Sequence, residues 1–278
     1  MSRPLHATRS GPSKTTLGAA RRSATCHAGV AVVLACTVAS GLAVATAAEE
    51  PLRSARAILD RVDDLFRGSS AHGEMTMTIT TAHWTRALAL EFWSRGTDRT
   101  LVRILAPTKE KDTATLRVGN ELWNYLPKVK RVIKLPSSMM SASWMGSHFT
   151  NNDLVKESRM AEDYTFEQTF VGARDGEEVI EVTCLPKPDA AVVWGKVIVR
   201  VRRSDDLPLA IPYYDERMQL ARTMTFSDFK TLGGRLLPSK MTVVPADKPT
   251  ESTVVRYDSI EFDPPLDDET FSLRNLQR

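Results

Sequence analysis

Residues 75–80 read MTMTIT, in which Met75, Met77 and Ile79 alternate with Thr76, Thr78 and Thr80. Side chains of a strand point to opposite faces in turn, so this pattern makes one face apolar and the other hydroxyl-bearing. Residues 87–92, ALALEF, repeat it, with Leu88, Leu90 and Phe92 against Ala87, Ala89 and Glu91. Immediately upstream the period is different. From Leu52 to Arg67, Ala55, Ile58, Leu59, Val62, Leu65 and Phe66 recur at three- and four-residue spacing, and Gly68 follows; that predicts an amphipathic helix with a glycine stop.

Downstream, alternating runs lie around 99–105, 114–118, 121–126, 130–135, 164–171, 177–184, 193–203, 207–214, 219–229, 235–244 and 252–262. Roughly a dozen strands joined by short turns predict a mainly β protein, an antiparallel sheet that curls or closes. One long segment, Pro136–Glu162, interrupts the series. It carries Met139, Met140, Trp144, Met145 and Phe149 ahead of a helix-like stretch, Asn151–Arg159, that Asn152 or Asp153 can cap. A loop of this length inside a domain suggests a lid, and its apolar character needs something apolar to cover. A turn from Pro264 to Leu273 closes the chain, and no repeat or linker divides it.

Net charge is +3, but residues 1–47 contain Arg3, Arg9, Lys14, Arg21 and Arg22 and no acid, leaving 32 basic against 34 acidic side chains in the remainder. A nucleic-acid binder would keep its positive field in the folded part. Arg21 and Arg22 precede an uncharged run from Ala28 to Ala48 that ends in Ala45, Thr46 and Ala47, the form of an export signal cleaved near Ala47. Residues 33–36, VLAC, resemble a weak lipobox, so lipid anchoring through Cys36 is the lesser alternative. After cleavage Cys184 is the only cysteine, which excludes an intrachain disulfide from residues 48–278.

Catalytic and metal signatures are missing. The exported part has His72, His83 and His148 without G-x-S-x-G, H-E-x-x-H, a phosphate loop or a dinucleotide fingerprint. Ser147, His148 and Asp153 sit in one loop, where near neighbours seldom face one another. Lys128, Lys130, Arg131 and Lys134 cluster at the turn after Pro127, readable as a solvated hairpin or as a surface for lipid head groups or an acidic partner. Met75, Met77, Met139, Met140 and Met145 fall in two places, one strand face and the lid. Methionine adapts to differing apolar shapes, which suits a ligand wall as well as ordinary packing.

The segments Gly73–Ile79 (GEMTMTI), Leu122–Pro136 (LWNYLPKVKRVIKLP) and Ser143–Leu154 (SWMGSHFTNNDL) together resemble the outer-membrane lipoprotein-sorting, LolA-like family of exported proteins, its longer branch in particular. The likeness runs from about Leu52 to Leu273. It implies an unclosed antiparallel β-barrel with an N-terminal amphipathic helix, a helical lid and a hydrophobic cavity that shelters acyl chains in the periplasm. His148 departs from the acidic residue expected after Met-Gly-Ser in this branch.

The expectation is one domain over residues 48–278 that carries lipoprotein or lipid acyl chains without catalytic turnover, as a monomer with no cofactor. Its partners would be an inner-membrane ABC- or RND-type exporter or an outer-membrane acceptor. Met75, Met77, Ile79, Leu88, Leu90, Phe92, Trp123 and Tyr125 are the candidate cavity residues, and Met139, Met140, Trp144, Met145 and Phe149 the lid. Within 122–126, Trp123 and Tyr125 share one face and Leu122 and Leu126 the other, and alternation does not say which points inward. A lipid-sensing interaction module on the same scaffold is the alternative, and a lipid enzyme using Ser147 or His148 the third reading.

Overall fold

Thirteen strands among the described residues form one antiparallel sheet in which almost every neighbour in space is a neighbour in sequence. The computed structural model describes residues 53–156, 160–190 and 192–278; the expected leader, with Cys36 and Ala47, lies outside them. Ser54 opens helix α1 (Ala55–Asp64), its hydroxyl accepting from the Ala57 amide, and Ile58 and Leu59 are its buried residues. Gly68, at φ +60°, turns the chain out of the helical region, a conformation that favours glycine.

Strands β1 (Ser70–Thr80), β2 (Thr85–Arg95), β3 (Arg99–Ala106), β4 (Ala114–Val118), β5 (Glu121–Leu126) and β6 (Arg131–Lys134) then follow as successive hairpins. After the long segment come α2 (Asp153–Lys156) and α3 (Met160–Asp163). The second half of the sheet is β7 (Tyr164–Arg174), β8 (Glu177–Pro186), β9 (Lys196–Arg202), β10 (Pro208–Tyr214), β11 (Leu220–Leu232), β12 (Arg235–Pro245) and β13 (Ser252–Phe262). Pairing of β1 with β13 joins the two halves at the centre, so β6 and β7, consecutive in the chain, are the two outer edges. The barrel is not closed: among the described residues no pairing links β6 to β7. The segment between them must therefore pass from one edge to the other across the open side, which is the topological reason it serves as a lid.

The two faces of the sheet carry separate cores. Met77, Ile79, Leu88, Leu90, Phe92, Val102 and Ile104 join α1, the lid and the inward residues of β8–β13 in the larger one. On the opposite face Leu101, Ala114, Leu116 and Tyr125 pack with Phe271 and Leu276 from the C-terminal segment. Residues 264–278 thus do more than end the chain: two short 3-10 turns, Asp268–Phe271 and Asn275–Gln277, cover the outside of β3–β5. Full burial of each large aliphatic side chain contributes about 1.5–3 kcal/mol, so both faces stabilise the sheet.

Candidate functional site

A cavity of about 240 Å³ lies where α1, the lid and the inner face of the sheet meet. Val62 and Phe66 line it from α1, Phe92 from β2, Leu154 and Met160 from the lid, and Ile211, Phe226, Met241 and Tyr257 from β10–β13. Phe66 stacks on Tyr257 with centroids 4.7 Å apart, and Phe92 meets the same ring edge-on at 5.9 Å. Gly73 makes room for this arrangement, because a Cβ there would lie 2.2 Å from the Ser259 carbonyl oxygen and 2.9 Å from the Phe92 ring. Arg117 and Asp153 also reach the cavity wall; Arg117 is 4% exposed and its Nε donates to the Gly119 carbonyl at 3.0 Å.

The lid folds back on itself before it crosses the sheet. The Trp144 amide donates to the Phe149 carbonyl at 2.8 Å, and the Asn151 and Asn152 amides donate to the carbonyls of Ala142 and Met140. Four strands then hold it. Arg86 of β2 donates to the Met145 carbonyl, and the Trp144 indole N–H donates to Thr115 Oγ1 of β4 at 3.1 Å. Thr253 of β13 accepts from the His148 amide at 3.0 Å and lies 2.9 Å from its Nδ1. The fourth tie is ionic: Arg222 of β11 grips Asp153 with both terminal guanidinium nitrogens, Nη1 and Nη2, at 2.7 and 2.8 Å, with both side chains about 95% buried. Arg222 also donates to the His148 carbonyl at 2.9 Å, and its guanidinium lies 4.4 Å from the Tyr213 ring centroid and 4.6 Å from that of Trp194.

Met77, Ile79, Leu88, Leu90, Phe92, Trp144 and Phe149 are brought into one core, with Met75 and Met145 packed against it. Of these only Phe92 lines the cavity; Met77, Ile79, Leu88 and Leu90 are fully buried within the same core as Trp144 and Phe149. Trp123 and Tyr125 are not brought to the cavity. They pack in the outer core, because the inner face of β5 is the one that carries Asn124, whose Oδ1 accepts from Thr115 Oγ1 at 2.8 Å beneath Trp144. Met140 is half-buried and Met139 is exposed.

Ser147, His148 and Asp153 are each engaged elsewhere. Ser147 Oγ donates to the Trp144 carbonyl at 2.7 Å, His148 Nε2 is 3.2 Å from Glu251, and Asp153 holds Arg222. The His148 hydrogen bond keeps the Glu251 carboxyl below the usual glutamate range. Among the described residues no cluster of three or more His, Cys, Asp or Glu side chains could hold a metal ion, and no helix is long and apolar enough to cross a membrane.

Sequence reasoning missed most of the cavity wall, which comes from α1 and the second half of the sheet, and it missed Arg222. The available signal was local: Arg222 is a charged residue at an inward position of β11, followed at two-residue spacing by Met224 and Phe226. An inward charge on an otherwise apolar face calls for a buried partner.

A family model carrying the description "Uncharacterized protein" matches residues 96–278. No curated protein matches the chain. Among solved structures, a DUF1329 family protein from Desulfovibrio piger superposes with a TM-score of 0.73 at 21% identity, over 82% of this chain and 100% of that one. A domain assigned to outer membrane lipoprotein sorting from Vibrio parahaemolyticus gives 0.70 at 21% identity, over 81% and 98%. A LolA superfamily protein from Nitrosomonas europaea gives 0.68 at 21% identity, over 80% and 99%. The chain therefore belongs to the family of that model, and its fold is LolA-like.

Proposed function

We propose that this protein is an exported, periplasmic carrier that holds an acyl chain of a lipid or lipoprotein under its lid and passes it to a membrane acceptor or exporter, the leader being removed near Ala47. The observation that carries this reading is the cavity between α1, the lid and the open sheet, whose wall is apolar at Phe66, Phe92, Ile211, Phe226 and Met241 and polar at Asp63, Arg67, Ser94 and Arg117. An engineered apolar cavity of about 150 Å³ takes up benzene, so on that scale about 240 Å³ accepts on the order of ten carbon atoms. A chain of about fifteen methylenes is worth roughly 12 kcal/mol of gross burial at ~0.8 kcal/mol each, before association costs. Such a chain needs more room than this cavity offers, so loading requires the lid to move. The lid is held by the four polar ties and by burial of Trp144 and Phe149 in the inner core, so opening it must expose both. Burial of methylenes carries little information about a head group, so selectivity falls to the proteins that load and unload the carrier.

The test is native mass spectrometry and lipid extraction of the protein isolated from the periplasm. A stoichiometric acylated species, lost on Phe226→Asp with the circular dichroism unchanged, is the expected result. An empty protein that also fails to take up added phospholipid and acylated peptide refutes the carrier. A ligand-dependent stoichiometric complex with another protein would instead select the sensing module.

A further inference from the structure

The hairpin of β5 and β6 presents an exposed cluster of cations. From Leu122 to Asn152 the chain has no Asp or Glu, yet it holds Lys128, Lys130, Arg131 and Lys134. Lys134 is engaged by Glu121 and lies over the Trp123 ring. Lys128, Lys130 and Arg131 are exposed, and among the described residues none of them is in an ion pair. Apolar side chains stand between and beside these cations: Leu126 is 37% exposed, Val129 59%, Ile133 45% and Met139 48%. Single exposed apolar residues are ordinary, but four within fourteen residues of an acid-free basic stretch are not.

We propose that this hairpin tip docks the protein on an anionic lipid bilayer. Interleaved Lys or Arg and aliphatic side chains suit the interface, where the methyl groups enter the head-group region while the basic groups reach the phosphates. A partner that offered acidic groups alone would pair with the cations and leave the aliphatic side chains in water. Addition of a strand at this sheet edge is also disfavoured: β6 has four residues, and Pro136, which lacks an N–H, follows closely. Pairing places Leu126 opposite Arg131 and Asn124 opposite Ile133. Leu126, Arg131 and Ile133 therefore lie on the face of the hairpin that meets the lid through Asn124 and Thr115. β6 leads at Pro136 directly into the lid, whose first turn is Ser137–Met139, so docking would bring the lid to the bilayer. The inference goes beyond the carrier reading and does not depend on what the cavity holds.

Sedimentation of residues 51–278 with phosphatidylcholine vesicles, with and without phosphatidylglycerol, tests this. That span is one compact unit that contains the thirteen described strands, α1 and both cores. Binding is expected only with phosphatidylglycerol, to weaken as salt rises, and to fall roughly 100-fold in Lys128→Gln/Lys130→Asn/Arg131→Gln, which loses three basic contacts. Val129→Ser/Ile133→Ser is expected to weaken binding at every salt concentration. All five side chains are exposed, so unchanged melting curves confirm intact folds. Equal binding by the triple variant, or by the serine variant, overturns the proposal, as does failure of the parent protein to sediment. Retention of the parent on immobilised polyglutamate without vesicle binding assigns the tip to an acidic protein and overturns it equally.

Discussion

Replacing Arg222 by methionine removes the guanidinium that holds Asp153 and leaves a carboxylate about 95% buried, with the Thr150 amide, 2.6 Å away, as its main remaining donor. Two hydrogen bonds of 2.7 and 2.8 Å to Asp153 are lost, together with the 2.9 Å bond to the His148 carbonyl and the stacking on Tyr213 and Trp194. Breaking one side of a buried pair typically costs about 3–5 kcal/mol, because the surviving charge is stranded away from water. In a domain of this size that lowers the melting temperature by roughly 6–20 °C if the loss is global. The latch joins the lid to β11, so much of the loss should appear as local opening, seen as faster exchange of the Trp144 indole N–H and increased dye binding to exposed apolar surface. Urea unfolding followed by circular dichroism gives the global part, and hydrogen exchange the local part. The double variant Asp153→Leu/Arg222→Met should recover most of the loss, since an apolar pair of similar volume needs no charge compensation. If Arg222→Met stays within about 1 kcal/mol of the parent by both measurements, or the double variant is no better than the single one, the latch is not what holds the lid.

Acid should loosen the lid at His148. Glu251 has its carboxyl held below its ordinary value of 4.5, so the stability it contributes is present above that value and is lost as pH falls through the lowered one. Trp144 fluorescence followed from neutral to acid pH should show a step that Glu251→Gln abolishes, and an unchanged step argues against this contact. The Cys184 thiol, buried in the inner core, is pushed up to about 12, chiefly by desolvation. It should resist a water-soluble thiol reagent in the folded protein and react fully in urea; its raised value also means that stability falls as pH rises above 9.0. Phe271→Ala, which opens the outer core beneath Trp123 and Tyr125, should cost about 3–5 kcal/mol by urea unfolding while leaving the affinity for an acyl probe unchanged. A loss of probe binding with normal stability would place that core in the ligand site.

Alternation in 75–80 and 87–92, the helical spacing of 52–67 and the single long break before residue 164 were enough to read a mainly β antiparallel sheet that curls or closes, with one helix and a lid; that the sheet stays unclosed came only from the family resemblance. Those features are local: period two or period 3.6 is imposed on the chain by which side must avoid water, and it survives in the linear order of residues. Which face points inward is not local. In β5 the choice between Leu122 and Trp123 depends on the C-terminal segment, whose Phe271 and Leu276 cover Trp123 and Tyr125 from outside. Asp153 looks like a helix cap in sequence, and it does stand at the start of α2, but its charge is answered by Arg222, 69 residues away. Likewise the cavity is walled by Ile211, Phe226, Met241 and Tyr257, whose side chains resemble any other inward strand residue until pairing of β1 with β13 brings the second half of the sheet opposite α1. The periodicity of one strand decides that it has an apolar face; only the packing of the open sheet against the helix and lid decides what that face meets.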